Sequence, residues 1–370
     1  MMKGKKKYAG FCLGIMFIAA LYFTGCADMQ NEGGQKGNSS SKAEMQEELE
    51  VHFIDVGQGD STLIQTGDHA MLIDAGENEK GIDVKEYLDS QHVEKLDYII
   101  CTHPDSDHIG GMDIVIDAFD SDMIFMPDLK KDTRTYDEVI DSAKEKQEKI
   151  HYPKVSEEYS LGEAKFTVVA PNSADYSNSN NYSIGILLEY GENKFLFVGD
   201  AEEESEEEMM GNDMDLDADV YKVSHHGSST GTSEAFLREV SPDYAVISCG
   251  EGNSYGHPHA EVLNELRAEG VKVFRTDEQG TIVATSDGKE IKWNMSSSED
   301  WVAGEPTGSA AGKAKETMQS YVLNTNTKKY HLPDCSSLEG MKKENREERK
   351  ATEEELKKEG YSPCQKCIGD

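Results

Sequence analysis

The sequence predicts an α/β protein built from mixed β-sheets with helices outside, followed by a small separate unit at the C-terminus. Between residues 51 and 295, short β-branched runs alternate with segments of helical periodicity. Residues 26–50 and 296–320 are polar and have almost nothing to bury, so we predict a flexible tether and a linker there. The 370 residues leave room for one large domain, at 51–295, and a small module, at 321–370.

Most elements of the large domain are predicted from short apolar runs that end in Gly or Asp turns. The predicted strands are Val51–Ile54, Ser61–Ile64, Met71–Ile73, Asp97–Cys101, Met123–Met126, Phe166–Ala170, Asp219–Val223, Asp243–Ser248, Val271–Phe274 and Thr281–Ala284. A hairpin is predicted between Ile184 and Val198. The predicted helices are Val84–Leu88, Gly110–Phe119, Thr135–Lys149 and Ala260–Glu269, and the acidic run at 202–208 is predicted as a solvated helix face.

The first 25 residues have the pattern of an export signal. Four lysines precede an apolar stretch at 8–23, and Thr24, Gly25 and Cys26 follow. This ending resembles a bacterial lipobox, with Phe23 at the position where Leu is usual. It implies that residues 1–25 are cleaved and that Cys26 carries the lipid of a membrane-tethered extracytoplasmic protein. An uncleaved anchor helix is the alternative and gives the same location.

The charge of the chain limits its partners. Asp and Glu number 72 against 37 Lys and Arg, a net charge of −35. Loss of residues 1–25, which hold four lysines and no acidic residue, would change this to −39. Such acidity opposes non-specific binding of a polyanion. Residues 321–370 contain ten basic and ten acidic residues, so the module is the less repulsive surface for a polyanion.

Three of the seven cysteines lie in the C-terminal module, with one histidine near them. His331 and Cys335 precede a Lys/Glu-rich stretch, and Cys364 and Cys367 follow it with Cys-x2-Cys spacing. Four such ligands suit one tetrahedral zinc ion, and a unit of about 50 residues has too small a core without such a crosslink. The module is similar to the Cys/His-ligated unit appended to bacterial secreted nucleases and competence-type hydrolases. A disulfide between Cys364 and Cys367 is the alternative.

Six of the eleven histidines lie in three clusters, each just after a predicted strand. They are His103, His108, His225, His226, His257 and His259. The densest cluster is Thr102–Gly111, where imidazoles alternate with carboxylates. Neither group is stable when buried at such density without a partner, so this loop predicts a cation site; a solvated polar loop is the alternative.

The large domain resembles a metallo-β-lactamase-fold hydrolase of the ComEC competence-protein type. The matching motifs are Phe53–Asp60, His103-x-Asp105-x-Asp107-His108, Val198-Gly199-Asp200, Lys222–Ser228 and Tyr255–His259. The resemblance implies a four-layer αββα sandwich with two divalent metal ions, zinc or manganese, in the catalytic site.

The resemblance also implies a ligand set. His103 and Asp105 would bind one metal ion, Asp107 and His108 would bind the second together with His225, and Asp200 would bridge the two. His226 would contact the phosphate, although the sequence leaves the roles of His225 and His226 interchangeable. The family's usual third-motif histidine is absent, since the matching region reads Asn180–Ser183, and this departure leaves the first metal with fewer ligands.

Four further residues are assigned supporting or catalytic roles. Asp74 would orient a ligand histidine, and Asp60 would fix the loop beneath the site. His257 and His259 would stabilise the transition state or protonate the leaving oxygen. Capping of the following helix is the alternative for this histidine pair.

Together these features predict an exported, membrane-tethered phosphodiesterase, and more specifically a nuclease acting on extracellular DNA. One alternative is an envelope phosphodiesterase acting on teichoic-acid or phosphorylcholine esters. Another is a DNA-capture lipoprotein whose metals are structural. The expected partners are DNA or another phosphodiester, the membrane through the lipid anchor, and a DNA-uptake channel as a candidate.

Overall fold

The computed structural model describes residues 47–212, 214–304 and 319–368, without Asp334, Glu339, 352–355, 357–359 and Gln365. The predicted export segment with Cys26, most of the predicted tether and the second half of the predicted linker lie outside these residues. Within the described ranges, no helix combines the length and apolar character needed to cross a membrane.

Two large sheets form the centre of the main domain. Its strands are β1 (Leu49–Phe53), β2 (Thr62–Thr66), β3 (His69–Ile73), β4 (Leu96–Ile100), β5 (Ser121–Phe125), β6 (Ile150–His151), β7 (Glu158–Leu161), β8 (Ala164–Ala170), β9 (Gly185–Tyr190), β10 (Asn193–Phe197), β11 (Val220–Lys222), β12 (Tyr244–Ile247), β13 (Lys272–Arg275), β14 (Ile282–Ser286) and β15 (Ile291–Trp293). The first sheet has the order β15-β14-β1-β2-β3-β4-β5-β6, and the second has the order β13-β12-β11-β10-β9-β8-β7. Both sheets are mixed: β3 to β6 and β10 to β13 run parallel, and the other neighbours are antiparallel.

Helices follow or connect these strands. They are α1 (Gly81–Ser90), α2 (Ser106–Ile109), α3 (Met112–Ala118), α4 (Arg134–Lys146), α5 (Glu203–Met210), α6 (Glu234–Val240), α7 (Ala260–Ala268) and α8 (Thr276–Gln279). Helix α4 begins where the Thr133 side chain accepts a hydrogen bond from Tyr136 N, as an N-cap threonine does.

Three apolar cores hold four layers together. Phe53, Phe166 and other side chains fill the space between the two sheets. Leu88 belongs to a second core between the first sheet and α1, α3 and α4, and Phe236 belongs to a third between the second sheet and α5, α6 and α7. Burial of each such side chain contributes about 1.5–3 kcal/mol. The order is helix, sheet, sheet, helix, and the predicted αββα sandwich is confirmed.

The C-terminal module forms its own four-stranded sheet. Its strands are β16 (Gln319–Asn324), β17 (Lys329–His331), β18 (Arg346–Ala351) and β19 (Ser362–Pro363), in the order β18-β16-β17-β19. A small core that includes Leu323, Tyr330 and Leu356 lies on this sheet.

The described part of the predicted linker packs on the main domain. Ser298 N donates a hydrogen bond to Val273 O at 2.7 Å, and Gly304 N donates to Pro258 O at 3.0 Å. Trp301 packs against the core beneath α7. Residues 296–304 are therefore an extension of the domain, and the remaining predicted boundaries stay predictions.

Candidate metal centre and active site

The predicted site residues meet where parallel strands of both sheets end. Asp74 follows β3, the loop beginning at Thr102 follows β4, Asp200 follows β10, and His225 and His226 follow β11. The carboxyl ends of parallel strands meet at one edge of a sheet, which is the usual place for a ligand in α/β folds. Packing the two sheets face to face brings the two edges together.

Asp74 fixes the position of His108. Its carboxylate accepts hydrogen bonds from Thr102 N at 2.8 Å and Thr102 Oγ1 at 2.6 Å, and its Oδ2 lies 2.8 Å from His108 Nδ1. Asp74 is fully buried and has a φ of 58°, a backbone conformation that costs a non-glycine residue free energy and occurs mainly at functional sites. With Nδ1 held in this way, His108 presents Nε2 to the centre of the site.

We expect Asp74→Asn to reduce the hydrolytic rate by about 10–100-fold, as is typical for a group that orients a metal-ligating histidine. The amide no longer accepts from both Thr102 and His108, so His108 loses a fixed orientation. Steady-state hydrolysis of bis-p-nitrophenyl phosphate measures the loss. A rate equal to that of the unmodified protein would rule out this role for Asp74.

Four buried polar atoms at the centre face each other without regular hydrogen bonds among the described residues. They are Nε2 of His103, His108 and His226, and Oδ1 of Asp200. His108 Nε2 lies 3.2 Å from Asp200 Oδ1, and His103 Nε2 lies 4.0 Å from Asp200 Oδ2. Buried polar atoms are normally paired, so atoms that converge and stay unpaired fit a cation. Nitrogen and carboxylate oxygen donors suit zinc or manganese.

His226 is placed as a ligand better than His225. Its Nε2 lies 3.3 Å from Asp107 Oδ2 and 3.5 Å from Asp200 Oδ2, and its Nδ1 lies 3.0 Å from the carbonyl oxygen of Ser248. His225 is partly exposed, and its Nε2 lies 3.6 Å from Asp200 Oδ2. Both residues have positive φ, so adjacent rings point in different directions. This geometry favours the reverse of the predicted assignment, with His226 as ligand and His225 facing the substrate.

Asp60 supports His226 from behind and neutralises a buried lysine. Lys222 Nζ lies 2.9 Å from both carboxylate oxygens, and His226 Nδ1 lies 3.2 Å from Oδ1. The preceding Gly59 has a φ of 135°, and a Cβ there would lie 2.3 Å from Asp107 O, so only glycine lets this turn approach the metal loop. Asp60 also belongs to the group of potential metal ligands with His108, Asp200 and His226, whose ligand atoms lie within 4.8 Å of one another. Its supporting role stays a prediction, and the Lys222 ion pair was not predicted.

Electrostatics show that the cluster requires positive charge. Burial lowers the pKa of His226, but Asp200 and Asp60 raise it more strongly, to about 10. Burial opposes ionisation of Asp200, yet His108, His226 and His225 hold its pKa well below the usual range. The Asp200 carboxylate is thus ionised, and His226 and His108, whose pKa values are raised, hold the balancing protons. A divalent cation would supply the same positive charge in place of those protons.

The first metal position has a less regular environment. Asp105 Oδ1 lies 4.0 Å from His103 Nε2, 2.8 Å from Lys131 Nζ and 3.2 Å from Ser179 Oγ. Ser183 stands in the region of the missing third-motif histidine, where its Oγ lies 3.3 Å from His103 Nδ1 and accepts from Asp200 N. Ser183 therefore positions two predicted ligands, a role that the sequence did not indicate.

His257 and His259 differ in their surroundings. Burial lowers the pKa of His257, as do His226 and His225, to about 3, so this imidazole is neutral. Its Nδ1 is buried and has no hydrogen-bond partner among the described residues, and the exposed ring of Tyr255 stacks on it at 5.5 Å. His259 Nδ1 accepts from Ser229 N, and its Nε2 lies 3.2 Å from Tyr255 O. Since both nitrogens of His259 are engaged, the structure favours a supporting role over the predicted catalytic one.

The acidic run after Asp200 is a helix, as predicted, but it is not wholly solvated. Glu206 is fully buried and accepts hydrogen bonds from Ser233 N and Thr232 N. Glu202 accepts from Asn180 Nδ2 at 3.1 Å and lies 3.5 Å from His225 Nδ1. These carboxylates tie α5 to the loops that carry the site.

The second ligand cluster lies in the module. Cys335 Sγ is 3.5 Å from His331 Nδ1 and 4.0 Å from Cys364 Sγ. Together with Cys367, the four ligand atoms lie within 4.8 Å of one another. Cys364 and Cys367 carry free thiols, so the disulfide alternative is not formed. Three thiols and one imidazole at this spacing fit a tetrahedral zinc ion.

Comparison with known proteins gives matches over most of the chain. Residues 54–251 match the Metallo-beta-lactamase superfamily. The chain is 32% identical to ComE operon protein 3 of Bacillus subtilis (strain 168) over 74% of its own length and 35% of that protein. It is 29% identical to Recombination protein 2 of Haemophilus influenzae (63% and 28% covered) and 30% identical to Competence protein ComA of Neisseria gonorrhoeae (64% and 32% covered). The chain thus spans about a third of the length of these relatives.

Among solved structures, the metallo-beta-lactamase fold protein YhfI from Bacillus subtilis matches with a TM-score of 0.44 and 14% identity, covering 65% of this chain and all of that one.

An αββα sandwich with a buried His/Asp cluster at its strand ends defines a metal-dependent hydrolase, and the fold implies divalent metals. This chain belongs to the metallo-beta-lactamase superfamily and is homologous to the competence proteins named above. The family resemblance found in the sequence is confirmed.

Proposed function

We propose that this protein is a two-metal phosphodiesterase, tethered outside the cytoplasmic membrane, that cleaves DNA. The observation that carries this proposal is the set of convergent, unpaired buried atoms of His103, His108, Asp200 and His226. The relatives named for competence support DNA as the substrate class and a role in DNA uptake.

The ligand assignment follows the geometry. His103 and Asp105 would hold one cation, Asp107, His108 and His226 the second, and Asp200 would lie between them. Two divalent cations held in this way would supply a nucleophilic water and neutralise the charge that develops on a phosphodiester.

The protein's own groups position the substrate. His225 faces the site with Nε2, while Thr230 Oγ1 at 2.9 Å and Glu202 hold its Nδ1, so Nε2 would donate to a phosphate oxygen when both ring nitrogens carry protons. Neutral His257 lies beside it, with ring centroids 5.6 Å apart, and would hydrogen-bond the leaving oxygen. Lys131 beside Asp105 adds positive charge near the first metal position.

A substrate panel tests the proposal. Purified protein, chelated and then supplied with Mn²⁺ or Zn²⁺, should hydrolyse bis-p-nitrophenyl phosphate and cleave DNA. Single strands should be cleaved faster than duplex, because the acidic domain repels the denser charge of a duplex. If the protein hydrolyses the small diester and a teichoic acid but leaves DNA intact, the substrate is an envelope phosphodiester and not DNA. If the protein hydrolyses neither the small diester, nor DNA, nor teichoic acid, the remaining candidate is a non-catalytic DNA-capture protein whose metals are structural.

We propose that the protein is tethered to the membrane by a lipid on Cys26, because residues 1–26 have the pattern of a lipoprotein export signal. We expect Cys26→Ser to block labelling by a radioactive or clickable fatty acid and to mislocalise the protein, because the lipid is attached through that thiol. Cys12→Ser, within the same export segment, is the matched control and should keep the label. Labelling that survives Cys26→Ser would contradict lipidation at this position, and membrane retention of an unmodified protein that takes up no label would favour an uncleaved anchor helix.

The module is proposed to hold one structural zinc ion through His331, Cys335, Cys364 and Cys367. Burial raises the pKa of Cys335, but hydrogen bonds involving Cys367 and Ser337 lower it further, below its usual value. Burial and the same contact raise the pKa of Cys367, so one proton is shared between the two thiols, and zinc binding would release it.

A further inference from the structure

The cleft in front of the metal cluster has walls from two parts of the chain. Its volume is about 970 Å³, close to the upper end of the range for small-ligand pockets. Asp107, Asp200 and His226 of the main domain line one side. Leu332 and Lys366 of the C-terminal module line the cleft as well. The zinc-ligand cluster itself borders the cleft, since Cys335 and Cys367 also belong to its lining.

Three basic side chains line this cleft among five carboxylates, those of Glu77, Glu79, Asp105, Asp107 and Asp200. Lys131 and Arg134 come from the segment that leads into α4, and Lys366 comes from the module. Lys366 is more than half exposed and pairs with Asp132 of the same segment at 3.4 Å. An exposed pair of this kind contributes only about 0–1 kcal/mol, so a phosphate can compete with Asp132 for Lys366.

We propose that the C-terminal module is the second wall of the substrate cleft and that Lys366 binds a phosphate flanking the one at the metal cluster. This inference rests on the proposed phosphodiesterase function and specifies how a polymeric substrate is held. A single extended strand has a phosphate at every nucleotide, so it reaches both the metal cluster and Lys366. A small diester has one phosphate and reaches only the metal cluster.

The charge reversal Lys366→Glu tests the contact in the full-length, metal-loaded protein. We expect kcat/KM for a single-stranded oligonucleotide to fall about tenfold, mainly through a higher KM, and to fall further than kcat/KM for bis-p-nitrophenyl phosphate. The plot of log kcat/KM against log salt should become shallower by about 0.7, the slope for one phosphate contact on a single strand. Lys350→Glu is the matched control, because Lys350 is exposed on β18 of the same module and does not line the cleft.

A second variant separates substrate binding from anchoring of the module. Exchanging the pair, as Asp132→Lys with Lys366→Asp, restores the ion pair but leaves an acid at the cleft wall. We expect kcat/KM for the oligonucleotide to stay low in this variant, while the zinc content of the module is unchanged. Recovery of oligonucleotide cleavage would show that Lys366 only anchors the module, and would overturn the proposal.

The flanking phosphate contact and the proposed function are tested separately by these assays. If the unmodified protein cleaves the oligonucleotide but Lys366→Glu behaves like Lys350→Glu, the flanking contact is wrong and the proposed function stands. If the unmodified protein hydrolyses neither substrate with any metal, the proposed function is wrong and this inference falls with it.

Discussion

Replacing Asp107 and His108 by Ala together should abolish hydrolysis of bis-p-nitrophenyl phosphate and remove about one bound metal ion per chain. Both side chains are assigned to the same cation. Asp107 Oδ2 lies 3.3 Å from His226 Nε2, and His108 Nε2 lies 3.2 Å from Asp200 Oδ1. Metal analysis of the purified variant and an initial-rate assay measure the two losses.

A matched control removes a similar pair on the surface. His69 and Asp97 form a partly exposed 2.9 Å pair at the amino ends of β3 and β4, opposite the carboxyl ends that carry the site, and replacing both by Ala should leave turnover and metal content unchanged. Turnover close to that of the unmodified protein in the Asp107/His108 variant would end the assignment of these residues as ligands.

Removal of the Asp60 carboxylate should cause the largest loss of folding stability. Asp60→Ala leaves the Lys222 ammonium group buried without its carboxylate, which costs about 3–5 kcal/mol in the free energy of unfolding. Denaturant titration measures this loss. The double variant Asp60→Leu with Lys222→Met buries no charge and should lose much less. Equal losses in the two variants would show that the ion pair is not the cause.

The same pair predicts a dependence of stability on acid. Burial raises the pKa of Asp60, but Lys222 and His226 lower it more, to about 2. The pKa in the unfolded chain is about 3.9, so this contribution is fully present above that pH. It is lost as pH falls through the folded-state value near 2. In the double variant without the pair, this part of the acid dependence should be missing.

The sequence predicted the framework because its signals are local. The apolar runs at Leu96–Ile100 and Phe195–Val198 identify buried strands by composition alone, and the ligands follow directly after such strands. The edge strands β6, β7 and β15 and the short helix α6 were not predicted. The three strands have two to four residues and few buried side chains, so apolar periodicity cannot distinguish them from loops.

The remaining features depend on contacts between distant parts of the chain. Lys222 and Asp60 are 162 positions apart, and neither motif indicates that they pair. Which of His225 and His226 faces the cluster depends on two consecutive left-handed residues, a conformation that spacing does not reveal. Glu206 reads as a solvated acid, but it is buried because Thr232 and Ser233 supply backbone donors.

The most direct test of the central claim is to measure metal content and hydrolysis on the same sample before and after mild chelation. We expect about three metal ions per chain, of which about one zinc remains after chelation in the thiolate-rich module, while hydrolysis of bis-p-nitrophenyl phosphate is lost. Adding about two equivalents of Mn²⁺ or Zn²⁺ should then restore hydrolysis. Hydrolysis that survives removal of all but one metal ion would contradict a catalytic centre built on His103, His108, Asp200 and His226.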